Sequence, residues 1–324
     1  MHWLELSPGF ACNCRCTGCY SCSADARDQM TWPEVLGWLK SARRQGAQHL
    51  WLSGGEPTLR PDFLATLRAA RSLGYKRIKV QSNGLLFSYP QLAERAVAAG
   101  MTEVNLLVKS LRPELYDAMN RTPGAFALLD KAIDVLGALP LRLEGDFLLT
   151  ARNFKELPEL VRHYAARSFR HFNLWLFSLV DQGVEDLRAE VPRLGEAMPF
   201  ILAALQIAEA AGATLASLNT PHCLVPPAAW RIQFDAKAMD LLVVNPGGHA
   251  FSLEQSAIEL GVYPAECADC AVRPHCHGMR ADYLSVHGTA ELRAVSAAAA
   301  TGHDPRGGTL DGRIRAAAHG APRA

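Results

Sequence analysis

The 324-residue sequence lacks several things, and each absence removes a class of function. No apolar run reaches the ~18 residues that a membrane span needs. No signal peptide precedes Trp3-Leu4-Glu5-Leu6. No run of lysine or arginine stands out, and 33 basic against 32 acidic residues leave a formal net charge of +1. Neither a membrane nor a nucleic acid is therefore an expected partner. A disulfide framework is also missing. The nine cysteines are odd in number and gather at two ends of a chain that reads as cytoplasmic. That usage favours metal binding.

What is present is enough apolar sequence, 49%, for a sizeable core. The length suits one large α/β domain with a smaller appendage. Six short apolar strands are expected at about 3–6, 49–52, 77–81, 103–108, 142–149 and 171–177. Helical stretches follow them, at about 31–45, 62–73, 91–99, 113–119, 126–136, 154–167 and 196–211. Thr31, Pro33 and Glu34 carry the start signals of the first of these, a cap, a first-turn proline and a capping box. Strand–helix alternation with short, often glycine-terminated connections predicts a parallel sheet with helices outside. In such sheets ligands sit at the carboxyl ends of the strands. After Gly212 the character changes to short β segments with a Pro246-Gly247-Gly248 turn. From about Ala290 the chain is rich in Ala, Gly and Arg and reads as a mobile tail.

Five cysteines fall within the eleven positions 12–22. Cys12, Cys16 and Cys19 form a C-x3-C-x2-C set after the first strand, and the loop supplies no fourth ligand in that register. Thiolates are soft donors that select iron–sulfur clusters or zinc. A three-ligand site leaves one metal position free for a substrate or cofactor. Ser53-Gly54-Gly55-Glu56-Pro57 follows the second strand. Its glycines permit close backbone approach, and Glu56 offers an acceptor for an ammonium group. The alternative for this stretch is a glycine-rich turn before a helix cap. Ser82-Asn83-Gly84 follows the third strand, and Asn-Gly is a common turn.

The cysteine set after strand one, with Gly54-Gly55-Glu56-Pro57 after strand two, resembles the radical S-adenosylmethionine (SAM) superfamily over roughly residues 1–212. The resemblance implies a partial (β/α)6 TIM-like barrel. It implies a 4Fe-4S cluster on Cys12, Cys16 and Cys19, with SAM on the open iron, and a flavodoxin- or ferredoxin-type reductant. Reductive cleavage of SAM then gives a 5′-deoxyadenosyl radical that abstracts a substrate hydrogen. By position Gly54, Gly55, Glu56, Pro57, Ser82, Asn83, Lys109 and Arg152 are the candidate SAM contacts. One departure stands out. The aromatic residue usual just before the third cysteine is Gly18 here, and Tyr20 follows that cysteine. Cys14 and Cys22 are expected to be unligated.

A second group, Cys267-x2-Cys270-x5-Cys276, resembles the C-terminal SPASM or twitch extension of that superfamily. With Cys223 it offers four thiolates, enough for one fully ligated auxiliary 4Fe-4S cluster. Near 244–252, where a further cysteine is often found, this sequence has Ser252. Residues 213–289 are thus expected to form a small α+β, twitch-like iron–sulfur domain. The alternative is a structural zinc site, on the four thiolates or on three of them with His275 or His277.

Side chains of a strand alternate between its two faces. The polar set of strands four to six, Asn105, Lys109, Glu144, Asp146, Asn173 and Trp175, should line the lumen. Glu144 and Asp146 would then bind an amine or a sugar hydroxyl. An auxiliary cluster favours net oxidation. The expected substrate is a ribosomal peptide or protein, or alternatively a polar small molecule. No N-terminal peptide-recognition domain precedes the first strand. The competing classes are a two-cluster electron carrier, which would need neither Gly54-Gly55-Glu56 nor so large a barrel, and a zinc-stabilised binding protein.

Overall fold

The computed structural model describes residues 1–19, 21, 24–179, 186–234, 239–256 and 260–303. The expected strands form in order: β1 (Trp3–Leu6), β2 (His49–Leu52), β3 (Arg77–Ser82), β4 (Glu103–Leu107), β5 (Arg142–Leu149) and β6 (Phe169–Leu176). Helices α1 (Trp32–Arg44), α2 (Phe63–Ser72), α3 (Pro90–Ala99), α4 (Pro113–Asn120), α5 (Ala125–Gly137), α6 (Leu157–Ala166) and α7 (Leu194–Ala210) connect or follow them. Local chemistry sets the ends. The Glu34 carboxylate accepts from both the backbone N–H and the hydroxyl of Thr31 at 2.7 Å, fixing the start of α1. Gly100 closes α3 at φ 124°, a conformation that disfavours a side chain.

Each of β1 to β6 pairs in parallel with the next. Period-two alternation divides the two faces. Leu4, Leu6, Leu50, Leu52, Ile78, Val80, Val104 and Leu106 lie in the main core. Trp3, Glu5, Trp51, Arg77 and Lys79 face the other way, into the lumen.

The expected division at Gly212 does not follow the sheet. β7 (Thr214–Leu218) continues it beside β6, and β8 (Leu241–Asn245) joins it in parallel beside β1. β9 (His249–Ser252) returns antiparallel on β8 across the Pro246-Gly247-Gly248 turn. The result is a nine-stranded sheet of order β7-β6-β5-β4-β3-β2-β1-β8-β9, a partial barrel with eight parallel strands. Unpaired backbone at the edges of β1 and β6 is thereby covered by later chain.

Beyond the sheet come α8 (Ala281–His287) and α9 (Ala297–Ala300). The start of the expected tail is packed, which corrects that expectation. Leu292 is buried, and Ala271 N–H donates to Val295 O at 2.9 Å. The rest of the expected tail, 304–324, lies outside the described residues. Among the described residues no helix is long and apolar enough to cross a membrane.

Candidate active site

The cysteine loop leaves the carboxyl end of β1 and is clamped from both sides. On one side Gly55 N–H donates to Gly9 O at 2.9 Å and Glu56 N–H to Ala11 O at 2.8 Å. On the other, Arg15 and Thr17 N–H groups donate to the Asn120 and Met119 carbonyls at the end of α4, at 3.2 and 2.9 Å. The glycines are needed for the first clamp. A Cβ on Gly55 would stand 2.3 Å from Ala11 O, and one on Gly54 2.5 Å from Gly9 O. The close approach that the sequence suggested is thus made to the cysteine loop itself.

Inside the loop Cys14 is buried, while Cys12, Cys16 and Cys19 are half-buried. The Cys14 thiol, the Cys14 backbone and the Lys109 ammonium share the stabilisation of the flanking sulfurs. A hydrogen bond from Cys14 comes first, with Lys109 adding its charge, and holds Cys16 down at about 5. The same Cys14 bond lowers Cys12, and Cys14 itself is pushed up. Asn120 ties these groups together: its Oδ1 accepts from Cys16 Sγ at 3.1 Å and from Lys109 Nζ at 2.9 Å. Nothing in the sequence pattern marked Asn120. Three cysteines in one loop, with Cys12 and Cys16 lowered, are the soft donor set a three-thiolate iron–sulfur site requires, so the residues fit the expected cluster in chemistry, while among the described residues no three such side chains are gathered closely enough to hold a bare ion.

Phe177 fills the gap before the third cysteine. Gly18 has φ 74°, and a Cβ there would fall 2.1 Å from the Phe177 ring. The aromatic group that the sequence lacks at position 18 is therefore delivered from the end of β6. Tyr20 and Cys22 lie outside the described residues.

Glu56 joins the ends of β2 and β3. Its carboxylate accepts from Thr58 N–H at 3.1 Å and hydroxyl at 2.5 Å, from Ser82 Oγ at 2.9 Å and from Asn83 N–H at 2.8 Å. Burial pushes the carboxyl up, against these bonds. Pro57, also buried, opens the short 3-10 turn that Glu56 caps. Asn83 Nδ2 donates to Asn13 Oδ1 at 2.7 Å and approaches the Cys14 and Cys12 sulfurs at 3.6 and 3.8 Å. Glu56, Ser82, Asn83 and Lys109 thus gather at the cysteine loop. Arg152 does not: its guanidinium pairs with Glu190 at 2.8 Å, and it is partly exposed.

The lumen holds a cavity of about 320 Å³. Glu144, Asn173 and Trp175 line it as expected, together with Glu5, Arg77, Lys79, Arg142, Arg170 and His171. Two expectations are corrected. Glu144 is not free for an amine, because Lys79 Nζ sits 2.5 Å away. Burial pushes Glu144 up, but Lys79, His171 and Arg77 outweigh it and hold the carboxyl at about 2. Asp146 is consumed by Asn173 Nδ2 at 2.8 Å and Gln81 Nε2 at 3.1 Å. Asn105 is fully buried beside Asp146, close enough to bear on its carboxyl but outside hydrogen-bond geometry.

Glu5, which the short apolar pattern of β1 hid, accepts from Ser53 Oγ at 2.8 Å. Burial first, then the nearby Asp146, pushes it up to about 7 against that bond. A carboxyl raised in the folded state stabilises the protein fully below its ordinary value of 4.5, and loses that contribution as pH rises through about 7. Glu5→Gln should therefore stabilise the chain by about 3 kcal/mol at pH 8, with the gain falling below about 1 kcal/mol at pH 5. Chemical unfolding at the two pH values checks this, and an equal gain at both would refute it.

The second cysteine group also converges. Cys223, Cys267, Cys270 and Cys276 line one small cavity with Tyr263, Arg273 and Arg293. Backbone N–H groups of Gly278 and Val295 donate to the Cys276 and Cys270 sulfurs at 3.4 Å. Burial raises the Cys223, Cys267 and Cys276 thiols. His275 and His277 are exposed and no part of the cavity wall. Ser252 ends β9. Arg280 ties this region to the cysteine loop, donating to Leu176 O at 3.0 Å and Phe177 O at 2.5 Å.

A parallel partial barrel whose first strand leads into a three-cysteine loop, braced by the end of the second, defines a radical SAM domain. Residues 6–162 match the Radical SAM superfamily, and the chain carries a radical SAM domain over that span. That family implies a 4Fe-4S cluster and SAM. Over 163 residues the chain is 31% identical to the probable GTP 3′,8-cyclase of Methanocaldococcus jannaschii, covering 49% of this chain and 53% of that protein. It is 28% identical over 192 residues to the AdoMet-dependent heme synthase of Methanosarcina barkeri, covering 58% and 52%. The chain thus spans about half the length of these curated relatives. In fold it resembles Streptococcus suis SuiB bound to S-adenosylmethionine, with a TM-score of 0.64, 14% identity, and coverage of 91% of this chain and 76% of that one. The native anSMEcpe structure with bound AdoMet gives a TM-score of 0.56 at 14% identity, covering 78% and 74%.

Proposed function

We propose that this radical SAM enzyme cleaves SAM reductively and abstracts hydrogen from a small polar molecule held in the lumen, with net oxidation. When bound, the cluster and SAM would supply a 5′-deoxyadenosyl radical for that abstraction. Cys12, Cys16 and Cys19 would hold the cluster, leaving one iron open. The observation that carries the reading is the three-cysteine loop clamped between the end of β2 and the end of α4, with Asn83 beside Cys12 and Cys14 and Asn120 beside Cys16. The chain's own residues then have defined tasks. Asn120 and Lys109 fix Cys16, Glu56 holds the ends of β2 and β3 together, and Phe177 covers the loop at Gly18. The small-molecule reading is favoured over a peptide by the lumen cavity, about 320 Å³, which is metabolite-sized. SuiB has been solved with the precursor peptide SuiA, a likeness that bears on fold alone.

In the same reading Cys223, Cys267, Cys270 and Cys276 bind one auxiliary cluster in a twitch-like arrangement, as electron acceptor for the oxidation. That wall contains four cysteines and no histidine, which favours this over a mixed cysteine–histidine zinc site. Cys270→Ala should lower anaerobically reconstituted iron from about eight to about four per chain while 5′-deoxyadenosine still forms. Zinc in place of the missing iron would rule out the second cluster. For the reading as a whole, SAM and dithionite are added to the reconstituted protein. Absence of 5′-deoxyadenosine would sink it, and stimulation of that product by a peptide rather than a metabolite would reverse the substrate assignment.

A further inference from the structure

Charge along the strand-start half of the lumen does not cancel. Arg77, Lys79, Arg142 and Arg170 line the cavity beside two carboxylates, Glu5 and Glu144. Glu144 is used by Lys79, and Arg77 is held by Glu103 at 2.7 Å from outside the wall. Glu5, raised to about 7, carries only part of a charge at neutral pH. Burial pushes the His171 imidazole down, with Glu144 opposing it. Among the described residues no carboxylate holds Arg142 or Arg170. Arg170 donates only to the Ala165 and Phe169 carbonyls, at 3.1 and 2.9 Å.

An independent observation has the same sign. Three buried polar atoms of the wall residues meet no hydrogen-bond partner: Arg77 Nη1, Trp51 Nε1 and Trp175 Nε1. All three are donors, although Trp175 stands near Asp146. A buried donor without an acceptor costs about 1–3 kcal/mol, and these buried donors add no negative charge that would offset the arginines. Aromatic faces help to hold the cations in place without neutralising them. Arg77 lies 4.8 Å above the Trp3 ring, and Lys79 lies 4.6 Å above Trp51.

We infer that the lumen binds its substrate through an anionic group, a carboxylate or phosphate, held by Arg142 and Arg170. Guanidinium forks match both oxyanions in bidentate geometry. The charge is opposite to the amine that Glu144 and Asp146 suggested from the sequence. This assignment rests on the lumen being the substrate chamber.

The test is calorimetric titration of the reconstituted full chain with sodium pyrophosphate and with sodium succinate, putrescine serving as the cationic control. At least one anion should bind and putrescine should not. Arg142→Gln and Arg170→Gln should each weaken binding about tenfold, and Arg142→Lys should weaken it less. Arg170 is exposed, so its variant keeps the fold even where a buried change would not. Binding of pyrophosphate alone assigns a phosphate, and binding of succinate alone a carboxylate. The assignment is overturned when neither anion binds, when both Gln variants bind like the parent, or when putrescine binds as well as the anions. Titration needs no SAM turnover. Its failure leaves 5′-deoxyadenosine formation standing as separate support for the enzyme class, and the reverse holds too.

Discussion

Cys16→Ser should cost the chain about four irons and reduce 5′-deoxyadenosine formation at least a thousandfold, to background. Cys16 is the proposed ligand on which the second side of the clamp converges. Its sulfur meets Asn120, and Lys109 lies close enough to help hold it down at about 5. Serine is nearly the same size, so packing around α4 survives. What is lost is a soft thiolate, and an alcohol does not replace it as a cluster ligand. Iron and sulfide analysis with product chromatography reads both losses. Retention of eight irons and of product would show that Cys16 is not a ligand, and would move the third ligand elsewhere in the loop. Asn120→Ala supplies a graded companion: the cluster should assemble but be lost faster, because Lys109 loses the amide oxygen that fixes its ammonium beside the sulfur.

Gly55→Ala should be the most damaging change that removes no functional group. The added methyl would stand 2.3 Å from Ala11 O, 2.5 Å from Phe10 O and 2.6 Å from the Phe10 carbonyl carbon. Every neighbour is backbone, so no side chain can swing aside. The Gly55–Gly9 and Glu56–Ala11 hydrogen bonds must open, and both fix the cysteine loop. Overpacking of this kind costs about 3 kcal/mol, or roughly 4–5 °C in melting temperature for a chain of this size. Cluster content should fall with it. Gly37→Ala, inside α1 with nothing within 4 Å of its Cβ, is the matched control and should stabilise by about 0.5–1 kcal/mol. Equal melting temperatures for the two variants would remove the clamp from the account of how the loop is held.

Much of the fold was legible because each strand of the first half carries its own punctuation. β5 runs from Arg142 to Leu149, the bounds its sequence suggests. The Cys12–Cys19 set, Glu56 and Asn83 were legible for a related reason: each lies in a loop whose position after a strand fixes where it ends up. What stayed hidden depends on partners distant in sequence. Leu241–Asn245 reads as one of several short β segments, and only pairing with β1 makes it a strand of the main sheet. Glu144 carries the same carboxylate whether or not a lysine is near. That Lys79 neutralises it is set by two strands meeting across the lumen, beyond the reach of alternation along either one. Phe177 and Asn120 escaped for the same reason, since their roles lie in contacts with a loop more than a hundred positions away.

The place of β8 has a consequence for the order of assembly. Trp3 pairs with Leu241, and Ser7 N–H, at the mouth of the cysteine loop, donates to Val244 O at 2.8 Å. During synthesis the loop leaves the ribosome roughly two hundred residues ahead of β8, the strand that completes its support. Pairing so distant in sequence bears a large loop-closure entropy and forms late. The thiols proposed to hold the cluster therefore wait without their final scaffold until β8 is made. Cluster insertion is accordingly a step for the finished chain, and C-terminal truncation before β8 is expected to abolish it even with Cys12, Cys16 and Cys19 intact.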